Sequence, residues 1–192
     1  MKVLVVSEGK HEQSGALENL LKRLGGAYAA FEFDRVSNNA IHTYHGKGKG
    51  YFKRAVRWLR EAENRQVDAL VFLIDEDGKS ERIEQVRDAQ ASLISQLRRA
   101  MGVAIRMFDA WMLADEKTLT QVLDYCINRQ PDPERIRNPK QVCADLLAHS
   151  PIQMSQSEMY ASVSLGIDIK VLSKRCPSGF EPFAKSVRKI FQ

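Results

Sequence analysis

Two uninterrupted apolar runs, VLVV at residues 3–6 and VFLI at 71–74, constrain this chain most. A strand with one wet face alternates apolar and polar side chains. These runs do not alternate, so both faces of each strand must be covered. Helices on two sides of a largely parallel sheet meet that demand, because parallel strands need crossover connections. The spacing of the remaining apolar residues supplies the helices. Leu17, Leu20, Leu21 and Leu24 recur at helical spacing and stop at Gly25-Gly26. A second strand is expected over 29–36. Phe52, Ala55, Val56, Leu59 and Ala62 form one apolar stripe, while Lys53, Arg57 and Arg60 share another face of the same helix. Ser80 is expected to cap the next helix, which carries Ile83, Val86, Leu93, Ile94 and Leu97. A fourth strand is expected over 103–108, with a helix over 109–123 directly behind it.

The expected fold is therefore α/β, a mainly parallel central sheet flanked by helices. From about Pro131 onward the pattern is all helical. This divides the chain into a core over 1–130 and a helical C-terminal region over 131–192 packed on it. With 192 residues and 44% hydrophobic content, one sizeable core is the limit. No stretch approaches the ~20 apolar residues of a membrane span, and the first ten residues do not read as a signal peptide, so a cytoplasmic protein is expected. Cys126, Cys143 and Cys176 include no C-x-x-C pair, which supports neither a disulfide framework nor structural zinc and leaves buried free thiols as the expectation.

Charge is distributed unevenly. The net charge is +5, and from Ser37 to Arg60 there is no acidic residue while Lys47, Lys49, Lys53, Arg54, Arg57 and Arg60 all occur. Such a block attracts phosphate backbones and makes binding salt dependent. The segment HGKGKGYF reads as a flexible loop, and its GKGKG part is either a substrate-contacting element or plain flexibility. Lys10 lies near Glu8, where it is either a phosphate contact or a solvated lysine. The candidate nucleic-acid contacts are thus Lys10, Lys47, Lys49, Lys53 and Arg57.

Acids follow three of the four expected strands: Glu8 after the first, Asp75 and Asp77 after the third, Asp109 after the fourth. In an open α/β sheet, ligands bind beyond the carboxyl ends of the strands. Like charges converging there are costly unless a cation offsets them. Hard oxygen ligands suit Mg²⁺ or Mn²⁺, and Glu8, Asp75 and Asp77 are the candidate metal ligands. Glu8 serves equally as ligand or general base. The plainer reading is that acids after strands cap helices and solvate loops, which fits Glu76. Asp75 is expected to be exposed at its strand end. Metal plus basic surface points to phosphoryl transfer. No H-E-x-x-H, G-x-S-x-G or Walker loop is present to suggest other chemistry. Trp58 and Trp111 are expected in the core rather than as stacking platforms.

VVSEGKHE followed by FLIDEDG resembles the two signature elements of Toprim domains, found in topoisomerases, primases and OLD-type nucleases. AIRMFDAWMLAD, NPKQV and IDIKVLSKRCPSGFEPFAKSV make the chain similar over nearly its whole length to the Toprim-like DUF4276 family. The resemblance implies an acidic centre at Glu8, Glu12, Asp75 and Asp77, with Asp109 at a position where the family is expected to carry glutamate. It also implies a Mg²⁺-dependent nuclease acting on DNA or RNA, and an ABC- or AAA-type ATPase partner in a phage-defence setting. The alternatives are a non-catalytic binding or regulatory module that docks on such an ATPase, and nucleotidyl transfer as in primases.

Overall fold

A computed structural model describes residues 1–9, 12–38 and 50–192. Its sheet has four strands, β1 Lys2–Ser7, β2 Ala30–Arg35, β3 Ala69–Asp75 and β4 Arg98–Ala104, in the order β2-β1-β3-β4 with every neighbouring pair parallel. The two uninterrupted apolar runs fall on the central strands β1 and β3. Val3, Val5, Val71 and Leu73 face one apolar layer, and Leu4, Val6, Phe72 and Ile74 face the other. Covering both faces is what makes these strands apolar throughout.

One layer holds α2 Gly50–Asn64 and α3 Glu81–Ala91. The apolar stripe read from the sequence is the buried face of α2, and Trp58 belongs to that core. The other layer holds α1 Leu17–Leu21 and the later helices: α4 Asp109–Met112, α5 Glu116–Leu123, α6 Pro139–Ala148, α7 Gln156–Gly166, α8 Ile169–Arg175 and α9 Phe180–Ile190. Helix α1 continues through Lys22–Gly26, where Gly25 at φ 121° ends it. That left-handed conformation is the one glycine adopts without strain. Trp111 is buried against Phe108, Phe180 and Phe183, with ring centroids 5.1–5.6 Å apart. Residues of 1–130 and of 131–192 thus share one apolar layer.

Several sequence expectations shift. Helix α3 ends at Ala91 rather than running to Leu97, and Leu93 is 91% exposed. The cause lies in β4: the Arg99 guanidinium donates to the carbonyls of Gln90 (3.0 Å), Ser95 (3.1 Å) and Ser92, holding 90–95 as a loop. Strand β4 starts at Arg98, five residues before its first apolar run suggests. The Gln90 amide acts as a strand neighbour there, accepting from Met101 N–H (2.8 Å) and donating to the Arg99 carbonyl (3.3 Å). The strand stops at Ala104, ahead of Arg106 at φ 63°. Finally, the expected helix over 109–123 is two helices, because Asp115 caps α5 by accepting from Lys117 and Thr118 N–H (3.2 and 3.4 Å). Ser80 is itself helical and makes no capping bond. Cys143 and Cys176 are buried as expected, but Cys126 is exposed. Among the described residues no helix is long and apolar enough to cross a membrane.

Candidate functional site

The chain leaves β1 toward β2 on one side of the sheet, while β3 and β4 lie on the other, so the connections diverge between β1 and β3. A crevice opens at such a point beyond the carboxyl ends of the strands. Glu8 and Asp75 flank it. One Glu8 oxygen, Oε2, accepts the Asp75 backbone N–H at 2.9 Å, and Oε1 accepts from the Tyr51 hydroxyl. Asp75 is half-buried rather than exposed, and its Oδ1 accepts Phe108 N–H at 2.8 Å.

The D-E-D-G segment forms a tight turn. Lys79 N–H bonds the Glu76 carbonyl at 3.0 Å, with Asp77 (φ 51°) and Gly78 (φ 71°) at its centre, the paired positive φ of a type I′ turn. Backbone bonds from Glu76 N–H to the Ala104 carbonyl (2.9 Å) and from Asp77 N–H to the Arg106 carbonyl (3.0 Å) fasten this turn to the loop after β4. Glu76 turns toward that loop, accepting Arg106 N–H at 3.1 Å. Asp77 turns toward Arg82, 2.9 Å from its Nη1. The same Arg82 nitrogen donates to the Asp75 carbonyl at 2.6 Å and lies 3.7 Å from Glu8 Oε2. Arg82 is only 8% exposed and stacks on the Tyr51 ring at 4.6 Å. A built-in guanidinium thus stands between Glu8 and Asp77.

The carboxylates that act on one another are Glu12, Asp75, Asp109 and Glu8. Burial pushes the Glu12 carboxyl up to about 7, with the charges of Asp109 and Glu8 adding to the effect against backbone N–H groups of Glu12 and Gly9. Asp75 is raised well above its ordinary value, first by burial and then by Glu12, Glu8 and Asp109, against the Phe108 N–H. Glu12 packs so closely on Gly9 that a side chain there would meet its carboxylate at 2.2 Å. Asp109, at the start of α4 and buried, accepts the hydroxyl of Tyr160 from α7, and its carbonyl receives the Cys143 thiol at 3.7 Å. Burial first, then Asp109, raises the Cys143 thiol to about 12.

Among the described residues no three His, Cys, Asp or Glu side chains lie together in a way that could hold a metal ion. The expected set of Glu8, Asp75 and Asp77 is arranged otherwise: both Glu8 oxygens carry hydrogen bonds, and Asp77 is paired with Arg82. The carboxyls whose proton affinity is raised are instead Glu12 and Asp75, first by burial and then by the charges around them, Asp109 among these. Carboxylate oxygens are hard donors of the kind Mg²⁺ or Mn²⁺ takes, but the described residues do not gather three of them at one point.

Of the expected nucleic-acid contacts, Lys10, Lys47 and Lys49 lie outside the described residues. Lys53 and Arg57 are on α2, and Arg57 lines a pocket with Arg54. Sequence reading missed Tyr51, Arg82 and Tyr160. A tyrosine directly after a glycine-lysine run and an arginine five residues beyond an acid carry no periodic signal, and Tyr160 meets Asp109 from 51 positions away.

The DUF4276 family model, described as a domain of unknown function, matches residues 8–187. Among curated proteins and among solved structures nothing matches.

Proposed function

The chain belongs to the DUF4276 family, and from that footing we propose that it is a Toprim-like nuclease that hydrolyses phosphodiester bonds of DNA or RNA with Mg²⁺ or Mn²⁺. The observation carrying this reading is Asp75 and Glu12 at the β1–β3 crevice, both raised first by burial, with Glu12 adding to the effect on Asp75 and with Asp109 and Glu8 adding to both. When bound, the cation supplies a polarised water and a counter-charge for the leaving oxygen.

Each residue of the chain has a distinct task in this reading. Asp75 and Glu12 hold the cation, and Asp109 adds negative charge while Tyr160 fixes its orientation. Glu8 positions Asp75 by accepting its backbone N–H, and Arg82 lies against Glu8 and holds the Asp77 turn in place. The basic face of α2, bearing Lys53 and Arg57, draws the phosphate backbone toward this edge of the sheet.

One observation favours a second reading. Arg82 already stands as counter-ion between Glu8 and Asp77, as it would in a non-catalytic module that docks on an ABC- or AAA-type ATPase. Incubating purified protein with supercoiled, linear and single-stranded substrates in Mg²⁺, Mn²⁺ or chelator separates the two. The nuclease reading expects cation-dependent cleavage that Asp75→Asn abolishes. Intact substrate under every condition contradicts it and leaves the docking module.

A further inference from the structure

A pocket of about 240 Å³ lies between the carboxyl end of β2 and helix α2, lined by Val36, Ser37, Asn38, Arg54, Arg57 and Trp58. It is smaller than the ~300–1,000 Å³ of ordinary small-molecule sites. That size suits a compact group rather than a whole base with its sugar. Among the described residues that line it none is acidic, and two are arginines three positions apart on one helix face. The nearby acids of β2 are engaged elsewhere: Glu32 and Asp34 pair with Arg65 at 2.6 and 2.8 Å. Asp34 also accepts from the Asn38 amide at 3.1 Å, which fixes that wall of the pocket.

Arg54 is held in place by stacking on the Tyr51 ring, 4.8 Å from its centroid, and its guanidinium has no carboxylate partner among the described residues. The hydroxyl of that same tyrosine donates to Glu8. One aromatic ring therefore separates the arginine pocket from the acidic crevice, and β2 and β1 are parallel neighbours, so both open on the same edge of the sheet.

We propose that this pocket binds the terminal phosphate of a nucleic-acid strand. Planar guanidinia match phosphate oxygens in paired hydrogen bonds. Two guanidinia in one small pocket call for more negative charge than the single charge of an internal diester, and a phosphate monoester carries about −1.5 to −2 at neutral pH. The ligand's identity as nucleic acid rests on the reading above, but the pocket itself does not need the metal.

The test is fluorescence anisotropy in chelator, comparing a short labelled single strand ending in 5′-phosphate, the same strand ending in 3′-phosphate, and one with hydroxyls at both ends. A terminal phosphate should tighten binding at least about tenfold, equivalent to ~1.4 kcal/mol. Arg54→Ala, at an exposed position, should remove most of that preference without unfolding the protein, and Lys140→Ala, a distant lysine, should leave it intact. Circular dichroism checks the fold, and Arg57→Ala is the second variant. Equal affinity for phosphorylated and hydroxyl-ended strands overturns the proposal, as does a preference that survives in folded Arg54→Ala and Arg57→Ala. Preference without cleavage in Mg²⁺ keeps the pocket and removes the nuclease reading; cleavage without preference does the reverse.

Discussion

Glu8 Oε2 accepts the backbone N–H of Asp75 at 2.9 Å, so the end of one central strand locks the end of its neighbour across the crevice. The bond spans 67 positions of sequence and is charge-assisted, with Arg82 and the Tyr51 hydroxyl completing the surroundings of the carboxylate. Hydrogen bonds to charged groups contribute roughly 1.5–3 kcal/mol. Glu8→Gln keeps an acceptor and removes the charge, so it should cost about 1–2 kcal/mol. For a chain of this size that lowers Tm by roughly 2–8 °C. Differential scanning calorimetry measures it, and an unchanged Tm would mean that the bond is fully replaced by solvent.

Glu12 gives the pH dependence. Its carboxyl is raised from 4.5 to about 7, so between those values the folded protein holds a proton that the unfolded chain releases. Stability therefore falls as pH rises through this window, and the whole penalty is present above it. At ~1.4 kcal/mol per unit the elevation corresponds to about 3 kcal/mol. Glu12→Gln should stabilise the protein by about 2–3 kcal/mol near pH 8 and by little near pH 4. Urea denaturation at the two pH values checks this; a gain of equal size at both would place the charge elsewhere.

Gly102 marks where α9 meets β4. A Cβ built there would lie 2.6 Å from Phe183 Cδ2, inside the closest approach of real atoms. Gly102→Ala should cost about 1–3 kcal/mol through overpacking. Combining it with Phe183→Leu should recover part of the loss, as seen in a double-mutant cycle on denaturant midpoints. Additive costs would show that the two positions do not touch.

The strands were legible where burial is complete. VLVV and VFLI announce central strands because nothing polar interrupts them, and the Leu17–Leu24 and Phe52–Ala62 spacings announce helices because each buries a single face. The start of β4 was not legible, since Arg98 and Arg99 find their partners in the carbonyls of Ile190 and of the 90–95 loop, far from any local pattern. At the site, the acids themselves stood out at strand ends. Their grouping did not: Asp77 belongs with Arg82 because a left-handed turn swings it there, and Glu12 comes within electrostatic reach of Asp75 and Asp109 although they lie 63 and 97 positions away. Period and composition report which face is buried, not which polar groups meet across a crevice.

Tyr160 anchors Asp109 from α7. Removing its hydroxyl leaves a buried carboxylate without that donor, so Tyr160→Phe should cost about 1–3 kcal/mol. In an Asp109→Asn background the same substitution should cost less, because no charge is then stranded. Equal costs in both backgrounds would assign the tyrosine to packing alone.

The central claim is that Glu12 and Asp75 form a place for a divalent cation. Isothermal titration of Mg²⁺ and Mn²⁺ into the protein near pH 8 tests it most directly. The account predicts saturable binding that Asp75→Asn or Glu12→Gln abolishes, in variants whose circular dichroism matches the parent. No saturable binding to the parent, or binding that persists undiminished in both variants, would contradict it.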